Sequence, residues 1–95
     1  MLVEQKAKEI AELLKLLANQ HRLLILCALM TGPLTVSQIH EHTPSISSSA
    51  LSQHLSQLKM AGILDSQKHG MNVTYWIQDE RVISLIGAIK ENYCD

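Results

Sequence analysis

The stretch SSSALSQHLSQLKMAGIL, residues 47–64, decides the fold. Ser47 is typical of the residue before a helix, because its hydroxyl accepts a hydrogen bond from a backbone N–H of the first turn. The Ala61-Gly62 pair predicts that the helix ends near Met60, since glycine readily adopts the backbone conformation that follows a helix. Between these limits three leucines recur at helical spacing on one face: Leu51, Leu55 and Leu58. The stretch therefore predicts a helix with one apolar side.

A shorter helix precedes it. Thr35 and Gln38 have the spacing of a capping box, in which each side chain bonds the backbone N–H of the other residue. This helix is predicted to end at Thr43-Pro44-Ser45, because proline cannot continue a helix. A short capped helix, a tight turn and a second helix with a polar outer side form a helix-turn-helix.

Two helices are predicted before this unit. Residues 3–17 have apolar positions at helical spacing and polar residues between them, which indicates an amphipathic helix. The next helix follows Asn19, a good N-terminal cap, and is apolar on all sides from Leu23 to Met30, as expected of a buried helix. Thr31-Gly32-Pro33 predicts its end.

After the helix-turn-helix the pattern changes. Residues 63–77 include β-branched and aromatic residues around a turn at Gly70 and Asn72, which predicts two short antiparallel strands. A last helix is predicted from Asp79 to Tyr93. The predicted fold is mainly α with a small β-hairpin (α+β), a single winged helix-turn-helix domain over residues 1–95. Its order is four helices, two strands and one helix.

Composition limits the class of protein. The chain has 95 residues, of which 46% are hydrophobic and 18% charged, as expected of one globular domain. Without phenylalanine the core must be aliphatic and small, so burial against a second copy is attractive. The longest apolar run, Leu23 to Met30, is too short to span a membrane, and the N-terminus lacks a signal-peptide pattern. We expect a cytoplasmic protein with no membrane partner.

The distribution of charge favours DNA over other partners. The net charge of −1 gives no support for nucleic-acid binding, but residues 45–62 contain no acid. Glutamine can pair with adenine through two hydrogen bonds, and serine hydroxyls can bond base edges or phosphates. The simpler alternative, a merely solvated helix surface, is weakened because the usual alternating charges are missing. The predicted base-reading residues are Ser48, Ser49, Ser52, Gln53 and Ser56, with Lys59 beside them.

The hairpin adds a second predicted contact. Lys68 and His69 lie beside the Gly70 turn and could touch the flanking DNA backbone or the minor groove. His54 lies nearer the flank of its helix than the outer face. Two roles stay open for His54, packing against the hairpin or binding a phosphate.

These segments resemble the arsenic-repressor-like (ArsR) family of winged-helix regulators. The resemblance rests on residues 47–64, on VTYWIQD at 73–79, and on LLKLLANQHRLLILCAL at 13–29, where Arg22 follows the turn. It covers the chain from about Ala11 to Cys94 and is closest to the HlyU/BigR branch. It implies a repressor that forms a homodimer through the first and last helices and binds a near-palindromic operator. Two recognition helices would then enter major grooves about one DNA turn apart, ~34 Å. Arg22 is included among the predicted DNA contacts.

Metal sensing, which occurs in this family, is not expected here. One family site needs cysteines at the start of the third helix, where this chain has Thr35, Val36 and Ser37. Another family site needs Asp and His two residues apart, then His and an acid later in the last helix. This chain has Asp79 and Asp95 at the outer positions but Arg81 and Asn92 in place of the histidines, and arginine cannot ligate a metal. His40 and His42 are two residues apart on a helix and face different directions. No metal, no cofactor and no catalytic residue is predicted.

Two cysteines remain. From the residues alone, Cys27 is a small hydrophobe in a buried helix and Cys94 a frayed terminal residue. The HlyU/BigR resemblance instead implies a thiol switch, in which oxidants or reactive sulfur species link Cys27 to Cys94 and release the operator.

Three other functions are open alternatives. The same contacts would serve an antisilencer, which activates by displacing another DNA-bound protein. A protein-interaction module agrees with the near-neutral net charge. An enzyme is the weakest alternative, because the sequence has no evident Ser/His/Asp set, phosphate loop or paired carboxylates.

Overall fold

The computed structural model describes residues 1 and 3–93. Within this part the chain forms five helices and a three-stranded sheet. In chain order the elements are α1 (Glu4–Leu17), α2 (Gln20–Leu29), β1 (Leu34–Thr35), α3 (Val36–Glu41), α4 (Ser48–Met60), β2 (Leu64–His69), β3 (Asn72–Ile77) and α5 (Glu80–Tyr93). The predicted winged helix-turn-helix and its element order are confirmed, with one additional strand.

The predicted helix caps are present. The Asn19 side chain accepts hydrogen bonds from the backbone N–H groups of His21 and Arg22, at 2.9 and 3.1 Å. Thr35 and Gln38 form both bonds of the capping box. Ser47 accepts from the backbone N–H of residue 50 at 3.1 Å. These caps fix where α2, α3 and α4 begin, because each one satisfies an N–H that has no partner inside its helix.

The sheet has three strands where the sequence predicts two. β2 and β3 form the predicted hairpin, with His69 opposite Asn72 and Gly70 at a φ of +60° in the turn. β1 pairs with the other edge of β3, placing Leu34 opposite Tyr75 and Thr35 opposite Thr74. The extra strand forms because Thr35, as the cap of α3, has extended backbone that can lie along β3. A strand of two residues leaves no period to recognise in a sequence.

The core is aliphatic and lies beneath α4. The leucine face of α4 is almost fully buried, as predicted. The core also takes residues from every other helix, from the hairpin and from the turn before it: Leu17, Ile25, Leu26, Leu29, Ile39, Ile63, Leu64, Ile77, Val82 and Ile86. None of the described helices has the length and apolarity needed to cross a lipid bilayer.

The turn between α3 and α4 is fixed by side chains. Thr43 is completely buried, and its hydroxyl donates to the carbonyl oxygen of Ile39 at 3.4 Å. Nε2 of His40 lies 2.9 Å from the carbonyl oxygen of Ile46, so that nitrogen carries the proton and donates. These contacts hold the two helices of the helix-turn-helix in one relative orientation.

Candidate nucleic-acid interface

The outer face of α4 is exposed and uncharged. Since the leucines point into the core, the residues on the opposite side of the helix face solvent. Those exposed residues are Ser48, Ser49, Ser52, Gln53, Ser56 and Gln57. The first five belong to the predicted DNA-reading set, and the structure brings them together on one helix. A helix of this width fits the major groove, and short hydroxyl side chains allow close approach to base edges.

Lys59 connects this helix to the hairpin. Its Nζ donates to the hydroxyl oxygen of Ser66 on β2 at 2.8 Å, while the side chain stays exposed. An ammonium group has three donors, so this bond leaves others available for a phosphate. This bond and the packing of β2 against α4 place the hairpin beside α4.

The hairpin tip forms the wing. Lys68 and His69 are exposed next to the Gly70 turn, as predicted. Met71, on the other side of the turn, is 98% exposed. Met71 was not among the predicted contacts, although its position between Gly70 and Asn72 marks it as a tip residue. The wing therefore presents one cation, one imidazole and one apolar side chain.

The side chains of Arg22 and His54 are joined by a hydrogen bond. Nε of Arg22 donates to Nδ1 of His54 at 3.0 Å, and Nη1 donates to the carbonyl oxygen of Leu16 at 2.9 Å. Nη2 donates to Oε1 of Gln57. His54 thus contacts α2 and not the hairpin, which was one of its two predicted roles. Phosphate binding, the other role, stays a prediction. Gln57 and the Leu16 carbonyl were missed, because contacts across 35 and 6 residues leave no local signal.

The environment of His54 favours its neutral form. Burial lowers the pKa of the imidazole, and the Arg22 guanidinium and His21 lower it further. The rings of His21 and His54 are 6.1 Å apart. Because the folded pKa lies below the ordinary value of 6.5, the neutral ring stabilises the fold above that pH. That stability is lost as the pH falls through the folded pKa.

The residues at the start of α5 are engaged with one another. Arg81 binds the carboxylate of Asp79 through Nε at 3.2 Å and Nη2 at 2.8 Å, and its backbone N–H donates to the same carboxylate. The side-chain hydrogen bond from Arg81 is the main reason that the pKa of Asp79 is lowered. The Asn92 amide donates to the carbonyl oxygen of Ala88 at 2.7 Å. Within residues 1 and 3–93, no three histidines, cysteines or acids are grouped so as to hold a metal.

Cys27 is half-buried on α2, and α2 packs against α5. Cys94 lies outside the described residues. The predicted Cys27–Cys94 pair therefore stays a prediction.

The arrangement defines a class of protein. A core-anchored helix with an exposed acid-free face, a rigid turn before it and a hairpin wing beside it form a winged helix-turn-helix DNA-binding domain. Residues 19–66 match the model of the family described as bacterial regulatory protein, arsR family. The chain belongs to that family of transcriptional regulators, as the sequence resemblance predicted.

Individual proteins that are similar to this chain are also transcriptional regulators. YgaV of Escherichia coli K12, an HTH-type transcriptional regulator, is 36% identical over 92 residues, which are 97% of this chain and 93% of that protein. The transcriptional activator HlyU of Vibrio cholerae is 34% identical over 97% of this chain and 84% of that protein. A solved HlyU structure superposes with a TM-score of 0.90 at 33% identity, covering 98% of this chain and all of that chain, and another is of reduced HlyU. The transcriptional repressor BigR of Xylella fastidiosa superposes with a TM-score of 0.87 at 28% identity, over 97% of this chain and 93% of that chain.

Proposed function

We propose that this chain is a sequence-specific transcriptional repressor that binds a near-palindromic operator as a homodimer. The observation that carries the proposal is the acid-free outer face of α4, held outward by its buried leucines. On that face Ser48, Ser49, Ser52, Gln53 and Ser56 read bases, with Gln53 suited to an adenine. His54 and Lys59 at the flank, with Lys68 and His69 on the wing, bind the backbone. Such a protein acts on the nucleoid in the cytoplasm.

An apolar groove supports the homodimer. α1, α2 and α5 enclose an open groove of about 270 Å³. Its lining is entirely apolar: Leu14, Leu17, Ala18, Leu23, Leu85, Ile86 and Ile89. Leu14 at its edge is 47% exposed. A second copy is the occupant that we propose, because the first and last helices supply most of this groove and a two-fold axis would bring both copies of it together. A monomer would leave this apolar surface in water.

A salt titration distinguishes DNA binding from a protein-interaction module. Protein that neutralises several phosphates releases counterions, so its log affinity falls linearly with log salt, by about 0.9 per phosphate on duplex DNA. We expect a slope of about −4 or steeper for the dimer, since each protomer offers Lys59, Lys68 and two imidazoles to the backbone. The measurement is fluorescence anisotropy on the preferred duplex between 50 and 200 mM salt. A flat titration, with no preference for any duplex, would favour a protein partner.

Both transcriptional activators and transcriptional repressors are similar to this chain. HlyU is described as an activator and BigR as a repressor. An activator of the antisilencing kind would use the same DNA face. The position of the operator relative to the promoter and the change in transcript level after deletion separate the two. We propose repression because a dimer on an operator that overlaps a promoter blocks polymerase with no further contact.

We further propose that thiol oxidation releases the operator. α5 packs against α2, which carries Cys27, and its described end at Tyr93 is adjacent in sequence to Cys94. A direct disulfide needs Cα atoms within about 4.4–6.8 Å. Closing it removes two electrons and two protons from the thiols, which peroxide or a reactive sulfur species accepts. Because α5 also lines the proposed dimer groove, the bridge would change the spacing of the two recognition helices.

The double variant Cys27→Ser and Cys94→Ser tests the switch. We expect it to bind the operator as the unmodified protein does, and to keep binding after polysulfide or peroxide treatment. The unmodified protein should lose at least about tenfold in affinity on the same treatment, equivalent to 1.4 kcal/mol. Gel shift with oxidised and reduced samples measures both. An equal response from the variant and the unmodified protein would show that the cysteines are not the sensor.

A further inference from the structure

The partners of Arg22 lie on two different elements. Its guanidinium donates to the carbonyl oxygen of Leu16 in the last turn of α1, and to His54 and Gln57 on one side of α4. The last carbonyl groups of a helix have no partner inside that helix, so the bond to Leu16 satisfies an otherwise open acceptor. Arg22 itself lies in the first turn of α2. One side chain therefore joins the end of α1, the start of α2 and the DNA-reading helix.

The same contact determines the tautomer of His54. Arginine stays protonated, so its Nε is always a donor and Nδ1 of His54 must accept. In the neutral ring the proton is then on Nε2. Among the described residues that are buried or half-buried, the buried side-chain nitrogen without a partner is Nδ1 of His21. His54 is half-buried, and with Nδ1 bound to Arg22 its Nε2–H is the ring group left to donate elsewhere.

We propose that Arg22 is a positioning residue for DNA binding and makes no phosphate contact itself. It fastens α4 to the junction of α1 and α2 and holds His54 as the tautomer whose Nε2–H donates to the DNA backbone. This inference rests on the proposed DNA binding. It reassigns Arg22, for which the sequence predicts a direct DNA contact.

Charge and geometry support the positioning role. The three bonds take three of the five N–H groups, one on each nitrogen, and so fix the direction of the guanidinium. Hydrogen bonds from a charged donor are also stronger than neutral ones. Turning the guanidinium toward a phosphate would leave the Leu16 carbonyl and Nδ1 of His54 without their partner. Protonation of His54 would have the same effect on its bond, since an imidazolium has no acceptor and would repel Arg22. The other titratable group acting on His54 is His21, also on α2.

The salt slope separates positioning from direct contact. Arg22→Gln should lower operator affinity about tenfold, equivalent to one charge-assisted hydrogen bond, with the slope of log affinity against log salt unchanged. Lys68→Gln on the wing is the control for a phosphate contact and should make the slope shallower by about 0.9 per protomer. A shallower slope for Arg22→Gln, equal to that of the control, would overturn the proposal.

NMR of the histidine nitrogens tests the contact without DNA. In the unmodified protein, the ¹⁵N shifts of His54 should show the Nε2–H tautomer and a pKa below 6.5. Arg22→Gln should mix the tautomers and raise that pKa. Arg22→Lys, which keeps the charge but loses the Nε donor, is the second variant and should also mix the tautomers. An Nδ1–H tautomer, or an unchanged spectrum in a folded variant, would overturn the proposal. If the ¹⁵N shifts change as expected but the unmodified protein prefers no duplex, the Arg22–His54 contact is correct and the proposed DNA binding is wrong.

Discussion

Replacing Ser52 with glutamate should weaken operator binding by at least about 100-fold without unfolding the protein. Ser52 is exposed in the middle of the acid-free face of α4. A carboxylate there would meet phosphates and base acceptors, and like charges brought together in an interface cost several kcal/mol. A loss of about 2.8 kcal/mol corresponds to 100-fold. Fluorescence anisotropy on the preferred duplex measures the change.

Ser84→Glu is the matched control for that variant. Ser84 is also an exposed serine within a helix, but it lies on α5, away from the DNA-reading face. Both variants should unfold at a similar temperature, because surface substitutions usually change stability by no more than about 0.5 kcal/mol. Binding by Ser52→Glu that stays within about threefold of the control would place the DNA-reading surface elsewhere.

Leu14→Glu should convert the proposed dimer into a monomer. Leu14 lines the apolar groove of α1, α2 and α5 and is 47% exposed, so the substitution removes little from the core of one copy. In a dimer the glutamate would be buried among leucines and isoleucines without a partner, which is unfavourable for a charge. A monomer holds one half-site only and loses the avidity of two linked sites, worth about 10²–10⁴ in affinity.

Light scattering after size exclusion measures the mass, and anisotropy measures the DNA affinity. Leu24→Glu is the control, because Leu24 is 45% exposed on α2 and does not line the groove. The unmodified chain and the control should both be dimers. A dimeric Leu14→Glu, or a control that dissociates equally, would move the dimer contact away from this groove.

The features that were predicted from the sequence are local ones. Asn19, Thr35 and Ser47 were recognised as caps because a cap bonds an N–H two or three residues away. The exposed face of α4 could be predicted from its leucines, because their helical spacing identifies the buried side and therefore also the opposite, exposed side. β1 was missed because two residues have no period, and its pairing with β3 spans about forty residues.

The hydrogen bonds of Arg22 show which part of the candidate site could not be predicted from the sequence. Arg22 and His54 both belong to the predicted DNA-binding set, but nothing in the sequence indicates that they contact each other. Their contact joins residues 32 positions apart and depends on how α2 crosses α4. A cation near a DNA-reading helix is a good candidate for a phosphate contact until its neighbours are known. In this protein, three acceptors within the chain already bind the guanidinium of Arg22.

Selection of bound duplexes from a random pool, with the reduced full chain, tests the central claim most directly. We predict one enriched site made of two inverted half-sites, whose centres are about one DNA turn apart, ~34 Å. The Ser52→Glu variant should enrich nothing under the same conditions. A pool that stays random with the unmodified protein, or an enriched site without inverted symmetry, would contradict the proposal that this chain is a dimeric, sequence-specific DNA-binding regulator.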